Sequence, residues 1–399
     1  MTMPSSLAID GGTPVRATLL PYSRQSIDAN DVQAVQHVLQ SDWLTTGPKV
    51  AEFEKAFAMF VGTQEAVAVN NGTAALHAAL FALGIGPGDE VIVPTMTFAS
   101  TANAVVFLGA TPVFVDSDTQ TLLIDPNQVQ KAITKKTKAL LVVDYAGQPC
   151  DYNTLRIVAD AQNIPIVADA CHALGGSDRG RPVGSLATLN TFSFHAVKPM
   201  TTGEGGMVTT NDATLAKTMR RFRNHGLTSD HRERHQQGSW FYEMTTLGYN
   251  YRLTDIQCAL GISQLTKVPQ WTARRQHIAQ MYNQAFAPMQ ELRPLAVRSN
   301  VTHAYHLYVV RLNLDKLRVG RTEIFQALRA ENIGVNVHYV PVHLHPFYRE
   351  HFSTKEGDCP EAERAYTEIL SLPLFAGMSD DDIHDVIAAV QKVCTFYSN

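Results

Sequence analysis

The sequence predicts an α/β protein, with a large, mostly parallel sheet wrapped in helices and a smaller C-terminal α+β domain after it. Three observations carry this. Short β-branched runs alternate with helical stretches through the first two-thirds of the 399 residues. Those runs are apolar almost without interruption, the pattern of strands buried on both faces. Near residue 265 the alternation stops and a long helical stretch begins. Residues 1–265, with an N-terminal arm, are therefore assigned to the large domain and residues 266–399 to the small one, a division that suits a chain of this length.

The elements follow in order. AVAVN (66–70) is a strand, and TAALHAALFALGI is a helix ended by GPG. EVIVPT is the next strand and FASTANAVVFLG the next helix. TPVFVD, KALLVVDY and PIVADA are further buried strands, separated by helices in DPNQVQKAI and CDYNTLRIVADAQ. LNTFSF and GMVTTND are two strands flanking a Gly- and Thr-rich turn. The stretch IQCALGISQLTKVPQWTARRQHIAQMYNQAF is helical, and Pro269 kinks or divides it. YHLYVVRL and GVNVHYV are β-rich, and TEIFQALRAE and DDIHDVIAAVQKV are helical. The polar segment LTSDHRERHQQGSW (227–240) lacks periodicity and is expected to be a loop.

Composition bounds the function. Apolar residues make up 45% of the chain and the net charge is −4, without the basic excess of a nucleic-acid footprint. Five widely spaced cysteines contain no CxxC pair, so neither a disulfide framework nor a zinc ribbon is expected, and a reducing, cytoplasmic setting fits. The N-terminal segment has no basic run and no long apolar stretch of the kind that directs secretion. The uncharged stretch from Val91 to Val115 is broken by Pro94, Asn103, Gly109 and Pro112, which favours strand–helix–strand over a membrane span. His338, His343 and His345 form one histidine group, and His231 and His235 another. Neither has the HExxH form, and no metal site is expected.

Three segments can carry chemistry. In FSFHAVKPMTTGEGGMVTTND, Lys198 follows a strand and precedes the Gly/Thr-rich turn. Pro199 biases Lys198 away from helical geometry. Such a lysine is either a surface residue of a connecting loop or, where desolvation lowers its pKa, a Schiff-base former. In PIVADACHALGG, Asp169 stands at the C-terminal end of a strand, where open α/β sheets place ligands. Its alternative is to cap a following helix. Cys171 beside His172 is read as a small packing residue. In VNNGTAALH a strand runs into a helix, and the amides of Gly72, Thr73 and Ala74 make either an anion site or an ordinary helix cap. Neither a Walker loop nor a GxGxxG fingerprint is present. Phe98, just after a strand end, is either core or a platform for a flat ring.

Taken in order, IDGGTPVR, WLTTGPKVAEFE, NNGTAALH, GIGPGDEVIVP, ATPVFVD, DACHALGG, FSFHAVKPMTTGEGGMVTTND, LGYNYRLTDIQCALG, GVNVHYVPVH and LSLPLF resemble the DegT/StrS-type sugar aminotransferases over nearly the whole chain. The resemblance implies the aspartate-aminotransferase fold and pyridoxal 5'-phosphate as cofactor. It matches Lys198 to the lysine that binds the cofactor aldehyde and Asp169 to the aspartate at the pyridine nitrogen. It places His172 near the ring oxygen, Phe98 over the ring, and Gly72, Thr73, Ala74 and Ser193 at the phosphate. It matches Asn250 to an asparagine that reaches the phosphate of a neighbouring subunit, which implies a homodimer with shared active sites.

PYSRQSI, VDYAGQPCD, SFHAVKP and YEMTTLGYNYR are most similar to the members that aminate C4 of a UDP-linked 4-keto-6-deoxy-HexNAc in pseudaminic acid synthesis, with L-glutamate as donor. By that resemblance Tyr22, Trp43, Leu44, Thr45, His338, Tyr339 and Pro341 line the sugar-nucleotide site. The alternatives are a GDP- or dTDP-linked keto sugar, or a non-catalytic regulatory protein on the same fold. Related sugar dehydratases carry histidine in place of the lysine, and Lys198 argues against that activity.

Overall fold

The computed structural model describes residues 6–236 and 238–399. Residues 1–5 of the N-terminal segment and residue 237 of the polar stretch lie outside the described residues.

Seven strands form the central sheet: β1 (Glu65–Val69), β2 (Glu90–Pro94), β3 (Thr111–Val115), β4 (Thr137–Val143), β5 (Ile166–Asp169), β6 (Leu189–Ser193) and β7 (Gly206–Thr210). Their spatial order is β1-β7-β6-β5-β4-β2-β3. The pairs β6–β5, β5–β4, β4–β2 and β2–β3 are parallel, while β7 runs antiparallel to both β6 and β1. This is the large, mostly parallel sheet that the sequence predicts.

Period-two alternation divides each strand between two apolar layers. Ala66, Ala68, Ile92, Leu140, Val142, Ile166 and Ala168 face one layer, packed with Phe53, Phe57 and Phe194. Val67, Val69, Val91, Val93, Leu141 and Val167 face the other, against the helix Gly72–Ala82. That helix is buried on every side from Ala74 to Leu80, which explains its lack of a polar face. Burial on both faces is the reason these strands read as unbroken apolar runs.

A third apolar cluster joins the C-terminal elements. It contains Ile278, Tyr282 and Phe286 of helix Val268–Phe286, Ile324 and Leu328 of Arg321–Ala330, and Ile383, Val386 and Val390 of Asp380–Tyr397. These surround the antiparallel strands Leu292–Pro294, Tyr308–Leu312 and Ile369–Leu372. Leu7 and Leu20 of the N-terminal arm pack in this cluster. Pro269 divides the long helical stretch as expected, standing in the first turn of Val268–Phe286 after the helix Asp255–Leu265.

Two expectations are corrected. GVNVHYV is not a strand. Its single ladder contact is the bridge Asn336–Ser371, and the side chains of Asn336, Val337, His338 and Tyr339 wall a cavity instead. The polar stretch 227–240 contains a short helix, His231–Gln236, which its lack of an apolar stripe concealed.

Among the described residues, all five cysteines are free and no helix is long and apolar enough to cross a membrane. No group of three or more His, Cys, Asp or Glu side chains among them is arranged to hold a metal ion.

Candidate active site

A cavity of about 750 Å³ opens where the strands of the central sheet end. Its walls come from the C-terminal ends of the parallel strands, the location expected for ligands in open α/β sheets. Residues following β1 supply Asn71, Gly72, Thr73 and Ala74, and those following β2 supply Thr97 and Phe98. Asp169 ends β5 and is followed by Cys171 and His172, and Ser193 ends β6. The loop from β6 to β7 brings Lys198. From the C-terminal half come His306, His338 and Tyr339, and from the N-terminal arm comes Tyr22. The structure thus brings together eleven of the sequence-predicted residues: Tyr22, Gly72, Thr73, Ala74, Phe98, Asp169, His172, Ser193, Lys198, His338 and Tyr339.

The local chemistry explains each placement. Asn71 caps the helix Gly72–Ala82, its side chain accepting from the Ala74 N–H at 2.8 Å. The Gly72 and Thr73 amides are left at the cavity wall, beside the positive end of the helix dipole. A Cβ at Gly72 would stand 2.8 Å from Ser193 Cβ, so glycine is what lets the helix terminus approach β6. Amides, hydroxyls and the dipole end together make a cradle for a phosphate.

Asp169 is buried and does not cap a helix, since turns follow it. Its Oδ2 accepts from Thr101 Oγ1 at 2.8 Å, and Thr101 shares a second hydroxyl contact of 2.8 Å with Thr97. Thr101 comes from the helix Ala99–Val106, which begins directly after Phe98. Phe98 is exposed into the cavity, with its ring centroid 5.9 Å from that of Tyr339.

Lys198 sits in a loop bonded to itself. Its N–H donates to the His195 carbonyl at 2.9 Å, and Thr201 Oγ1 donates to the Phe194 carbonyl at 3.1 Å. The Gly203 N–H closes the turn on Thr201 Oγ1 at 2.9 Å, and the positive φ of Gly203 suits glycine. Burial lowers the Lys198 ammonium pKa, while Cys171 and Asp169 pull it back up. The shift favours the free amine, the nucleophilic form.

The histidines are held neutral. Burial, and then the charge of Lys198, pushes His338 down to about 4. The same causes, in the same order, carry His172 well below its ordinary value. His172 Nε2 lies 3.1 Å from Tyr339 Oη, and His338 Nδ1 lies 2.8 Å from Ser371 Oγ. Tyr145 Oη donates to the His338 carbonyl, fixing that segment against the end of β4. Burial raises the Tyr339 hydroxyl well above its usual range, so it remains a neutral phenol able to donate.

Five predicted residues are outside this cavity's walls. Pro341 is buried and precedes the short helix Val342–Leu344. Thr45 bridges Thr254, and Trp43 and Leu44 are exposed on the surface nearby. Asn250 is exposed and bridges Asn224. The sequence reading missed Thr97, Thr101, Tyr145, Asn336 and His306. The threonines flanking Phe98 in TMTFAST, one position before it and three after, were the available signal. Cys171, read as packing, also faces the cavity.

A desolvated lysine, a buried carboxylate, an aromatic platform and a helix-end anion cradle around one cavity define a pyridoxal-phosphate enzyme. Comparison with known proteins makes the class specific. The chain matches the DegT/DnrJ/EryC1/StrS aminotransferase family over residues 25–391 and belongs to that family. It is 45% identical over 380 residues to the spore coat polysaccharide biosynthesis protein SpsC of Bacillus subtilis, covering 95% of this chain and 98% of that one. Among solved structures it is similar to the sugar aminotransferase Spr1654 of Streptococcus pneumoniae in its PMP form, with a TM-score of 0.89 and 35% identity over 94% of this chain and 99% of that one. Spr1654 has also been solved in a PLP form. Helicobacter pylori PseC, an aminotransferase of pseudaminic acid biosynthesis, matches with a TM-score of 0.89 and 31% identity over 95% of this chain and all of that one. The chain is a pyridoxal-phosphate-dependent sugar aminotransferase.

Proposed function

We propose that this enzyme moves the amino group of L-glutamate to C4 of a UDP-linked 4-keto-6-deoxy-HexNAc, as in pseudaminic acid synthesis. The carrying observation is that Lys198, Asp169 and the Gly72–Ala74 helix end wall one cavity. The similarity to PseC and the segments PYSRQSI and VDYAGQPCD support the choice of sugar.

Bound pyridoxal phosphate supplies an electron sink for the carbanion formed at the donor Cα. The protein's residues do the rest. Gly72, Thr73, Ala74 and Ser193 hold the phosphate. Asp169, fixed by Thr101, keeps the pyridine nitrogen protonated. Phe98 covers one ring face. The Lys198 amine is the base that carries the proton from the donor Cα to the cofactor's exocyclic carbon, a step worth roughly 10²–10⁴-fold. Tyr22, His338 and Tyr339 meet the sugar.

Trp43, Leu44, Thr45 and Asn250 serve the neighbouring site in a homodimer. This accounts for their exposure here and for the exposed apolar run Trp240, Phe241, Tyr242, Met244 and Leu247 beside Asn250. Pro341 acts by holding the His338–Tyr339 wall. The second reading keeps the chemistry and changes the sugar to a GDP- or dTDP-linked one.

The test is to load the purified protein with cofactor, convert it with L-glutamate, and offer UDP-, GDP- and dTDP-4-keto sugars in turn. Return of the original absorbance with a UDP-4-amino sugar by mass spectrometry is the expected result. Return with a GDP or dTDP sugar alone would transfer the assignment to the second reading.

A further inference from the structure

A second cavity, of about 350 Å³, shares none of its lining residues with the one described above. Six of its side chains are cationic: Lys217, Arg220, Arg221, Arg223, Arg232 and Arg252. Two carboxylates, Glu54 and Asp230, stand against them, so the wall has a net excess of four positive charges. The whole chain carries −4, which makes this excess a local feature.

Two of the six cations have a structural role. Arg223 pairs with Glu54 and donates to the Ala68 carbonyl at 2.6 Å. Arg220 pairs with Glu65 at 2.8 Å and Glu54 at 3.6 Å, and donates to the Ala66 carbonyl at 3.0 Å. Together they hold the end of helix Ala213–Phe222 against β1. The other four have no such role. Lys217, Arg221, Arg232 and Arg252 form no ion pair among the described residues, and Arg252 donates to the neutral Asn224 Oδ1 at 2.9 Å. Lys217 and Arg221 stand one helical turn apart, where like charges repel. The helix dipole favours cations in the last turn, which covers Arg220 and Arg221. It does not cover Lys217, nor Arg232 and Arg252, which arrive from other segments. Thr228 adds a hydroxyl to the wall; its Oγ1 accepts from the Glu243 N–H at 3.1 Å and keeps its own proton to donate.

We propose that this cavity binds a diphosphate group, in a site separate from the cofactor's. Guanidinium forks meet phosphate oxygens in pairs, and a lysine adds a point charge. Four unpaired cations suit an oxyanion of several charges better than a single carboxylate. Lys217 is exposed and Arg221, Arg232 and Arg252 are half-buried, so a ligand reaches them from solvent. The diphosphate is either free or part of a nucleotide, and the chemistry of recognition is the same for both. Arg252 follows Asn250 by two positions, and Asn224, its hydrogen-bond partner, bridges Asn250. A bound diphosphate therefore bears on the segment that carries Asn250.

The test is calorimetric titration of cofactor-loaded protein with pyrophosphate, in buffer free of phosphate, so that the helix-end cradle is already filled. Saturable binding is expected. Lys217→Gln and Arg221→Gln should each weaken it roughly tenfold or more, and Arg221→Lys by less. Lys135→Gln, which removes an exposed charge elsewhere, should leave it unchanged. UDP and uridine separate the two sources. Equal binding of UDP and pyrophosphate, with the same losses in the variants, assigns the site to the diphosphate whatever carries it. Binding of UDP alone, with those losses, assigns it to a nucleotide. In the wild-type protein, bound ligand should protect Arg221 and Arg252 from phenylglyoxal, read by peptide mass spectrometry; this measurement decides if the variants do not fold. Absence of saturable binding by both pyrophosphate and UDP overturns the proposal. So does unchanged affinity in folded Lys217→Gln and Arg221→Gln, or equal modification of both arginines with and without ligand. No sugar or glutamate is present, so failure to aminate a UDP sugar would remove the proposed substrate and leave these results as they are.

Discussion

Thr101→Val tests how Asp169 is held. Thr101 is fully buried, absent from the cavity wall, and donates its hydroxyl to Asp169 Oδ2 at 2.8 Å. Valine matches its shape, so the change removes one hydroxyl and little else. Asp169 Oδ2 then loses its side-chain donor, and Thr97 loses the 2.8 Å contact behind it. Hydrogen bonds to charged groups contribute about 1.5–3 kcal/mol. If that interaction is lost where charge on the pyridine nitrogen matters, the rate of the half-reaction with L-glutamate falls roughly 10- to 150-fold at 1.36 kcal/mol per decade. The assay is single-turnover absorbance of cofactor-loaded enzyme at saturating glutamate, alongside thermal unfolding. The KM should move by no more than about twofold, because the hydroxyl does not face the substrate. Thr101→Ser should recover most of the rate. A Thr101→Val enzyme that is folded, loaded and within twofold of wild type would refute the argument that this hydroxyl supports Asp169.

Three further outcomes follow from the same geometry. Lys198→Ala should abolish turnover while the helix-end cradle still binds cofactor, measured by retention on gel filtration; sustained transamination in that variant would remove Lys198 from its role. Mixing Lys198→Ala with Asn250→Ala subunits should restore about a quarter of wild-type activity by random pairing if sites are shared across a dimer, and no recovery would assign each site to a single chain. Stability should fall with acid between pH 6.5 and 4. Burial pushes His77 and His338 down to about 4, His303 to about 3, and His172 and His306 well below their ordinary value, so in acid the unfolded chain binds about five more protons at these sites. Asp144, raised to about 7 by burial, opposes them with one. The unfolded state therefore binds about four more protons in all, and stability falls as the pH drops below about 6.5. Urea midpoints that stay flat from pH 7 to 5 would contradict it.

The central sheet and the residues at its strand ends were legible along the chain. Strands buried on both faces must be apolar throughout, so β1 to β6 announced themselves, and short βα connections placed Gly72, Phe98 and Asp169 at strand ends, where a cavity forms. The loop position of Lys198 was legible from Pro199 and the Gly/Thr-rich turn, while its role was implied only by the family resemblance. What tertiary structure decided is whatever depends on contacts between distant segments. GVNVHYV alternates like a strand, but its partner is a cavity. Thr101 acquires meaning only from Asp169, 68 positions away. The ring centroids of His306 and His172 stand 4.5 Å apart, a meeting that no local pattern encodes. Trp43, Leu44, Thr45 and Asn250 fall outside this chain's cavity, a position that periodicity along the chain does not record.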